Sequence, residues 1–136
     1  HTKQSHMAAF ATAEACDSNA ELISNGDLRA LHPVFKIYGQ RRCFSGPIVT
    51  LKVFEDNVLN NGWVGIVVNG CVRDVDEIND CDVGVKALGS NPLKSSKKGH
   101  GEKNVPVNIG GTLIRDGEWL YADSDGILIS KTELSV

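Results

Sequence analysis

An arginine and an aspartate stand side by side shortly after the most apolar stretch of the chain. Residues 63–68 have the composition of a buried strand, and Arg73 and Asp74 follow after four intervening residues. Ligands in layered α/β folds commonly bind just beyond the carboxyl ends of strands. An arginine fork suits a substrate carboxylate, whereas a carboxylate suits a hard divalent cation that keeps several waters. The pair therefore predicts an anion site beside a metal site.

Two further interpretations of this segment stay open. Arg73 and Asp74 could instead form a surface ion pair that caps the following helix. Glu77 lies three residues after Asp74 and so shares its face of a helix. We predict that Glu77 holds water molecules around the metal, although an acid that merely favours a helix N-terminus fits the same pattern.

Hydrophobic alternation and turn residues predict the elements that position this pair. Helices are predicted at 12–16, with Thr12 as N-cap, and from Asp74 to Ile78. Strands are predicted, with glycine-containing turns between the last four, at 48–54, 63–68, 83–88, 105–109, 112–115, 118–122 and 127–130. The expected class is α/β or α+β, with a sheet-rich C-terminal half.

Composition limits the class of protein. The 136 residues are 41% hydrophobic and 23% charged, which predicts one domain. The net charge of -3 argues against a nucleic-acid module, and no apolar run reaches the ~20 residues of a membrane span. The four cysteines form no CxxC pair, so we expect separate thiols in a reducing compartment and predict a cytoplasmic protein. Residues 1–6 look like an expression-tag remnant, which leaves a single domain over 7–136.

Other polar groups carry weaker signals. The lysine-rich loop 94–103 could bind phosphate or RNA, but a solvated loop fits it better because no aromatic residue interleaves with the lysines. His32 and His100 have no partner in the sequence pattern. Residues 123–126 resemble the start of a calcium loop without its distal glutamate, so an Asp-Gly turn is the better interpretation.

Several motifs in order resemble one family. The segment 69–77 resembles the Arg-Asp-x-x-acid motif of the family that includes regulator of ribonuclease activity A and the 4-hydroxy-4-methyl-2-oxoglutarate aldolases, with the plant members most similar. Supporting motifs lie at 10–13, 44–47, 105–111 and 121–126. The resemblance covers essentially all of 7–136. It implies an α/β domain of the swivelling β/β/α type that assembles as a homotrimer.

The same resemblance implies a class II aldolase, a lyase that depends on a divalent metal such as Mg2+ or Mn2+. Such an enzyme splits 4-hydroxy-4-methyl-2-oxoglutarate into two pyruvates and decarboxylates oxaloacetate as a side activity. Arg73 would bind the substrate and assist the water that moves the proton, while Asp74 would bind the metal. The alternative is a non-catalytic inhibitor of an endoribonuclease, with that ribonuclease as partner. The regulators replace the aspartate, so Asp74 favours the enzyme.

The sequence departs from the family pattern at one place. Family members carry a strand, a glycine-rich turn and a helix where this sequence has only the short connection between 58 and 61. That turn presents backbone N–H groups to the substrate in the family enzymes. The sequence therefore describes either a shortened domain or a chain from which an internal segment has been left out. We favour the second, because losing a strand and a helix would expose a large apolar surface.

Overall fold

The computed structural model describes residues 10–51, 63–93 and 101–135 as three short helices and nine strands. The helices are α1 (Thr12–Ser18), α2 (Ala20–Ser24) and α3 (Val75–Asn79). The strands are β1 (Leu28–Ala30), β2 (Lys36–Tyr38), β3 (Phe44–Pro47), β4 (Gly65–Val72), β5 (Gly84–Ser90), β6 (Val107–Ile109), β7 (Thr112–Ile114), β8 (Trp119–Ala122) and β9 (Ile127–Ser130). Helix α3 lies between β4 and β5 in the chain. The predicted α/β class with a sheet-rich C-terminal half is confirmed.

The strands form two main sheets and a hairpin. One sheet has the order β1-β9-β8-β3, with every neighbouring pair antiparallel. The other has the order β2-β5-β4, in which β5 is antiparallel to β2 and parallel to β4. Strands β6 and β7 form the separate antiparallel hairpin. The parallel pair β4–β5 needs a crossover connection, and α3 provides it.

An aromatic ring joins the two sheets. Phe44 on β3 is buried, and its ring lies against Gly65 on β4 and Gly84 on β5, which are partners in the parallel ladder. A Cβ atom at either glycine would overlap the ring, so no larger residue fits there without displacing Phe44 or a strand. The ring belongs to a core cluster that also contains Ile114 and Ile129. This contact fixes where β4 begins relative to the antiparallel sheet.

The opposite face of the antiparallel sheet is covered by the N-terminal helix. Ala15 of α1 packs with Leu28, Tyr121 and Leu128 in a second core cluster. Strand β9 is buried along its whole length because both faces of the sheet are covered.

A carboxylate ties α1 to the turn between β8 and β9. Asp123 accepts hydrogen bonds from the backbone and hydroxyl of Thr12, each at 2.7 Å, and from the N–H groups of Asp125 and Gly126. Burial raises the pKa of Asp123, but these hydrogen bonds outweigh it and hold the pKa below its ordinary value. Lys86 of β5 is 3% exposed and donates to the Asp123 carbonyl, and burial lowers the pKa of this lysine.

The structure corrects three of the predicted boundaries. Thr12 does not cap α1, whose N-cap is Ala11, because the Thr12 side chain bonds Asp123 instead. The strand expected at 48–54 is wrong over 48–51, since β3 ends at Pro47, and its remainder lies outside the described residues. Strand β4 does not end at Asn69 and Gly70 but continues through them to Val72 with a bulge.

The four cysteines are free thiols, as expected, although Cys71 is exposed rather than buried. Within the described ranges, no helix is long and apolar enough to cross a bilayer.

Replacing Gly84 by alanine tests the role of the Phe44 ring. We expect Gly84→Ala to lower the free energy of unfolding by about 1–3 kcal/mol, the usual cost of overpacking a filled core. The matched control is Gly46→Ala on β3, where an added Cβ meets no atom within 4 Å. Chemical denaturation of both variants measures the difference, and equal stabilities would contradict this role for the ring.

Candidate functional site

Arg73 and Asp74 lie at the carboxyl end of β4, where the chain turns into α3. Because β4 and β5 are parallel, their carboxyl ends meet at the same edge of the sheet. The N–H of Asn91, just after β5, donates to the carbonyl of Val72 at 2.9 Å and holds the two strand ends together. The sequence placed the pair correctly beyond a strand and before a helix.

A bulge in β4 determines which of its last side chains lie on each face of the sheet. Val68 pairs with Ala87 and Cys71 pairs with Gly89, so three steps along β4 match two steps along β5. Side chains alternate between the faces of a sheet, so the extra residue reverses which residues of β4 face each side. The bulge thus puts Cys71, rather than Gly70, opposite Gly89.

Asp74 adopts a backbone conformation that few residues tolerate. Its φ and ψ are 59° and 46°, in the left-handed region, and it is the N-cap residue of α3. Aspartate, asparagine and glycine enter this region at the lowest cost, and other residues are strained there by about 1–2 kcal/mol. Strained residues of this kind are concentrated at functional sites.

The Asp74 carboxylate does not cap the helix that it precedes. Among the described residues, it makes no side-chain cap hydrogen bond to α3, so its oxygens are not used by the helix N-terminus. It faces the Arg73 Nε atom at 3.6 Å, and the two side chains are 45% and 59% exposed for arginine and aspartate. The pair is thus a loose surface ion pair, as the alternative interpretation expected, but the Asp74 side chain does not cap α3, and both groups are open to a ligand.

Glu77 lies on α3, in the turn that follows Asp74. Its backbone carbonyl accepts hydrogen bonds from Asp80 N–H and from the Cys81 thiol, and the residue is exposed. The Glu77 side chain is therefore accessible to solvent, one helical turn after Asp74.

The donor set at this edge suits a cation that needs few protein ligands. In the part of the chain that the structure describes, no three His, Cys, Asp or Glu side chains converge on one point, which excludes a preformed zinc-type cage there. Mg2+ is usually held by one or two carboxylates, with waters and substrate oxygens completing the octahedron. The exposed Asp74 carboxylate fits this second type of site.

The remaining candidates that the structure describes do not join this site. The His32 imidazole packs against Gly111 of the β6–β7 turn. The carboxylate of Asp123 is already bonded to N–H groups, which confirms the Asp-Gly turn rather than a calcium loop. Residues 94–100 of the lysine-rich loop lie outside the described residues.

An apolar cavity of about 480 Å³ lies away from the Arg73–Asp74 pair, between β3, the β6–β7 hairpin and the start of β4. Leu51 and Trp63, the residues on either side of the undescribed segment 52–62, both line it. The cavity carries no arrangement of titratable groups comparable to the strand end among the residues that the structure describes.

Sequence reasoning missed Lys36 and Cys71, which lie at the same edge of the sheet on either side of Gly89. An added Cβ at Gly89 would lie 3.8 Å from the Cys71 Sγ atom and 4.0 Å from the Lys36 Nζ atom. Lys36 begins β2, a strand that was not predicted. The signal that could have found it is the apolar and β-branched alternation of residues 35–38.

The backbone at Asp74 makes a prediction about stability alone. We expect the free energy of unfolding of Asp74→Ala to be about 1 kcal/mol lower than that of Asp74→Gly, because alanine is strained in the left-handed region and glycine is not. Asp74→Asn should stay close to the parent chain. Urea denaturation of the three variants measures this order, and an alanine variant as stable as the glycine variant would contradict the left-handed conformation.

The fold and the site together define a mixed α/β domain whose accessible Arg-Asp pair follows a parallel strand. The family model described as RraA-like, Aldolase/RraA, matches residues 56–129. The chain belongs to this RraA-like family.

Relatives with two kinds of names are similar to the chain. A protein from Arabidopsis thaliana named "Putative 4-hydroxy-4-methyl-2-oxoglutarate aldolase 3" is 75% identical over 96% of this chain and 100% of its own length. A protein from Burkholderia multivorans with the same name but no number is 42% identical over 93% of this chain and 99% of its own length. The solved structure of the RNA-processing inhibitor RraA from Thermus thermophilis superposes with a TM-score of 0.78 at 31% identity, covering 93% of this chain and 95% of that one.

The match to the Arabidopsis protein also bears on chain length. The alignment extends over 166 residues, whereas the whole chain has 136. That relative therefore contains residues that have no counterpart here. The position predicted for the missing segment, between 58 and 61, lies outside the described residues.

Proposed function

We propose that the chain is a divalent-metal-dependent aldolase that cleaves 4-hydroxy-4-methyl-2-oxoglutarate to two pyruvates and decarboxylates oxaloacetate as a side activity. The observation that carries the proposal is the Asp74 carboxylate, held exposed beside Arg73 in a left-handed conformation and not used to cap α3. The names of the relatives from Arabidopsis and Burkholderia support the substrate class.

The charges at the site suit the chemistry of a 2-oxo acid. Breaking the bond beside the keto group leaves an enolate, so negative charge must be stabilised where it develops. A bound Mg2+ or Mn2+ would supply Lewis-acid stabilisation of that charge. Asp74 would hold the cation, and the exposed carboxylate of Glu77 would orient the waters around it.

Arg73 would bind the substrate oxyanions directly. Its guanidinium is 45% exposed and lies 3.6 Å from Asp74, so it can turn towards a ligand without breaking a buried ion pair. A planar guanidinium can contact two oxygens of one carboxylate. The same contact would continue as charge moves onto the keto oxygen. A water at the site would take the proton that the 4-hydroxyl group loses as the carbon–carbon bond breaks and deliver it to the enolate carbon.

Asp74→Asn tests the role of the carboxylate without disturbing the backbone. Asparagine tolerates the left-handed conformation and has nearly the same shape, but it lacks the charge that a cation requires. We expect loss of Mg2+-dependent oxaloacetate decarboxylation, with the melting temperature and the oligomeric state unchanged. Near-normal turnover in Mg2+ would show that Asp74 does not bind the metal.

Arg73→Ala tests substrate binding against a structural role. We expect a loss of at least ~3 kcal/mol in transition-state stabilisation, measured as kcat/KM for oxaloacetate, as for the removal of one preorganised donor. Arg73→Lys should not restore full activity, since a lysine lacks the planar two-point contact.

The chain offers a matched control at the opposite end of the sheet. Arg41 forms a two-point contact with the exposed Asp82, and this contact lowers the pKa of that carboxyl. Arg41→Ala removes a comparable surface arginine and should leave kcat/KM unchanged. If Arg73→Ala had normal kinetics and only a slightly lower melting temperature, Arg73 would be structural.

The likeness to the Thermus RraA, an RNA-processing inhibitor, supports a second candidate function, a non-catalytic regulator that binds an endoribonuclease. Purified chain assayed with oxaloacetate in Mg2+ and in chelator distinguishes the two. Turnover that chelator abolishes supports the aldolase, whereas inhibition of a ribonuclease without turnover supports the regulator. In either case we propose a cytoplasmic homotrimer.

A further inference from the structure

Lys36 lies across a glycine from the strand that carries the proposed site. Strand β2 is antiparallel to β5, and Lys36 pairs with Ala87, two residues before Gly89. The start of β2 therefore lies at the edge of the sheet where β4 and β5 end. On the other side of Gly89 stands Cys71, two residues before Arg73.

Gly89 of β5 leaves an open gap between the Lys36 side chain on β2 and the Cys71 side chain on β4. The positions that an added Cβ would approach are the Lys36 Nζ atom at 4.0 Å and the Cys71 Sγ atom at 3.8 Å, both at ordinary contact distance. A side chain longer than alanine would fill the space between them. As it stands, the ammonium group of Lys36 projects over a position without a side chain.

Among the described residues, Lys36 is a cation at this edge that makes no ion pair. Arg29 pairs with Glu118, Arg41 with Asp82, and Lys131 with Asp27, while Lys86 donates to a carbonyl of the β8–β9 turn. Within the described ranges, Lys36 is exposed and has no ion pair. Such a lysine beside a site for anions is positioned to bind one.

The proposed substrates have one carboxylate more than Arg73 and a cation at Asp74 would bind. Oxaloacetate and 4-hydroxy-4-methyl-2-oxoglutarate each have two carboxylates. Arg73 and a cation at Asp74 account for one carboxylate and the adjacent keto oxygen. A cationic side chain at the same edge of the sheet would bind the second carboxylate.

We propose that Lys36 binds the second carboxylate of a dicarboxylic 2-oxo acid, across the gap over Gly89, and so selects dicarboxylic over monocarboxylic substrates. This inference rests on the proposed function, because Arg73 and Asp74 must hold the first carboxylate and the keto group. In 4-hydroxy-4-methyl-2-oxoglutarate this second carboxylate stays intact when the carbon–carbon bond breaks, so Lys36 contributes equally to the ground state and the transition state. In oxaloacetate the second carboxylate leaves as CO2, so that substrate does not test uniform binding.

The test compares one ligand that has two carboxylates with one that has a single carboxylate. Calorimetric titration in Mg2+ uses 2-oxoglutarate and pyruvate on the parent chain and on Lys36→Met. We expect Lys36→Met to weaken 2-oxoglutarate binding about 10-fold, the size of one hydrogen bond to a charged group, and to leave pyruvate unchanged. In kinetics, KM for 4-hydroxy-4-methyl-2-oxoglutarate should rise with kcat nearly constant. Lys36→Arg should restore most of the affinity.

Two further variants make the result specific. Gly89→Val keeps Lys36 but fills the gap, and it should weaken 2-oxoglutarate binding as Lys36→Met does. Lys131→Met removes an exposed lysine that pairs with Asp27 beside the other sheet. It should leave the affinities for 2-oxoglutarate and for pyruvate unchanged. Circular dichroism shows whether Gly89→Val is folded, and Lys36→Met decides the question if it is not.

The outcomes separate this inference from the proposed function. Equal affinities of the parent chain and Lys36→Met for 2-oxoglutarate would overturn the role of Lys36, and so would an equal loss for both ligands. A parent chain that binds 2-oxoglutarate through Lys36 but turns over neither 4-hydroxy-4-methyl-2-oxoglutarate nor oxaloacetate would overturn the aldolase and still support the binding site.

Discussion

The contact of the Phe44 ring with the Gly65–Gly84 pair is the constraint on which the rest of the structure depends. The two sheets have different strand orders and meet without a shared strand in the described chain. The flat Phe44 ring lies against two adjacent glycines, and the absence of side chains there lets the two sheets approach each other closely. Once this position is fixed, β4 can extend in only one direction, and its far end is where Arg73 and Asp74 stand.

Strand β4 therefore has two ends with different roles. Its first residues contact the core and line the apolar cavity, where shape is decided by packing. Its last residues leave the core, pass through the bulge at Asn69 and Gly70, and become exposed. A half-buried start against the core and an accessible end allow the site to tolerate strain at Asp74 without loss of the fold.

The local pattern was enough to predict the elements near the site, but not those whose position depends on distant residues. Strand β4 and helix α3 follow from an apolar run and a cluster of acids that are read within a few residues. The true position of β3 could not be predicted from local sequence, because the position of Phe44 is set by packing against two glycines that lie more than twenty residues later in the chain. Thr12 is likewise a residue type that is common at N-caps, yet its hydroxyl donates a hydrogen bond to a carboxylate 111 positions away. At the site, adjacent charges behind a strand identified Arg73 and Asp74, whereas the left-handed backbone and the gap beside Lys36 come from a bulge and from strand register, which no local composition shows.

The left-handed backbone at residue 74 also has an evolutionary consequence. The conformation admits aspartate, asparagine and glycine at low cost, and the genetic code connects aspartate to each of the other two by a single-nucleotide change. A mutation at this codon can thus remove the carboxylate while the domain still folds and keeps its surface. Selection on stability alone would not detect such a loss, and a second change at the same codon would restore the carboxylate.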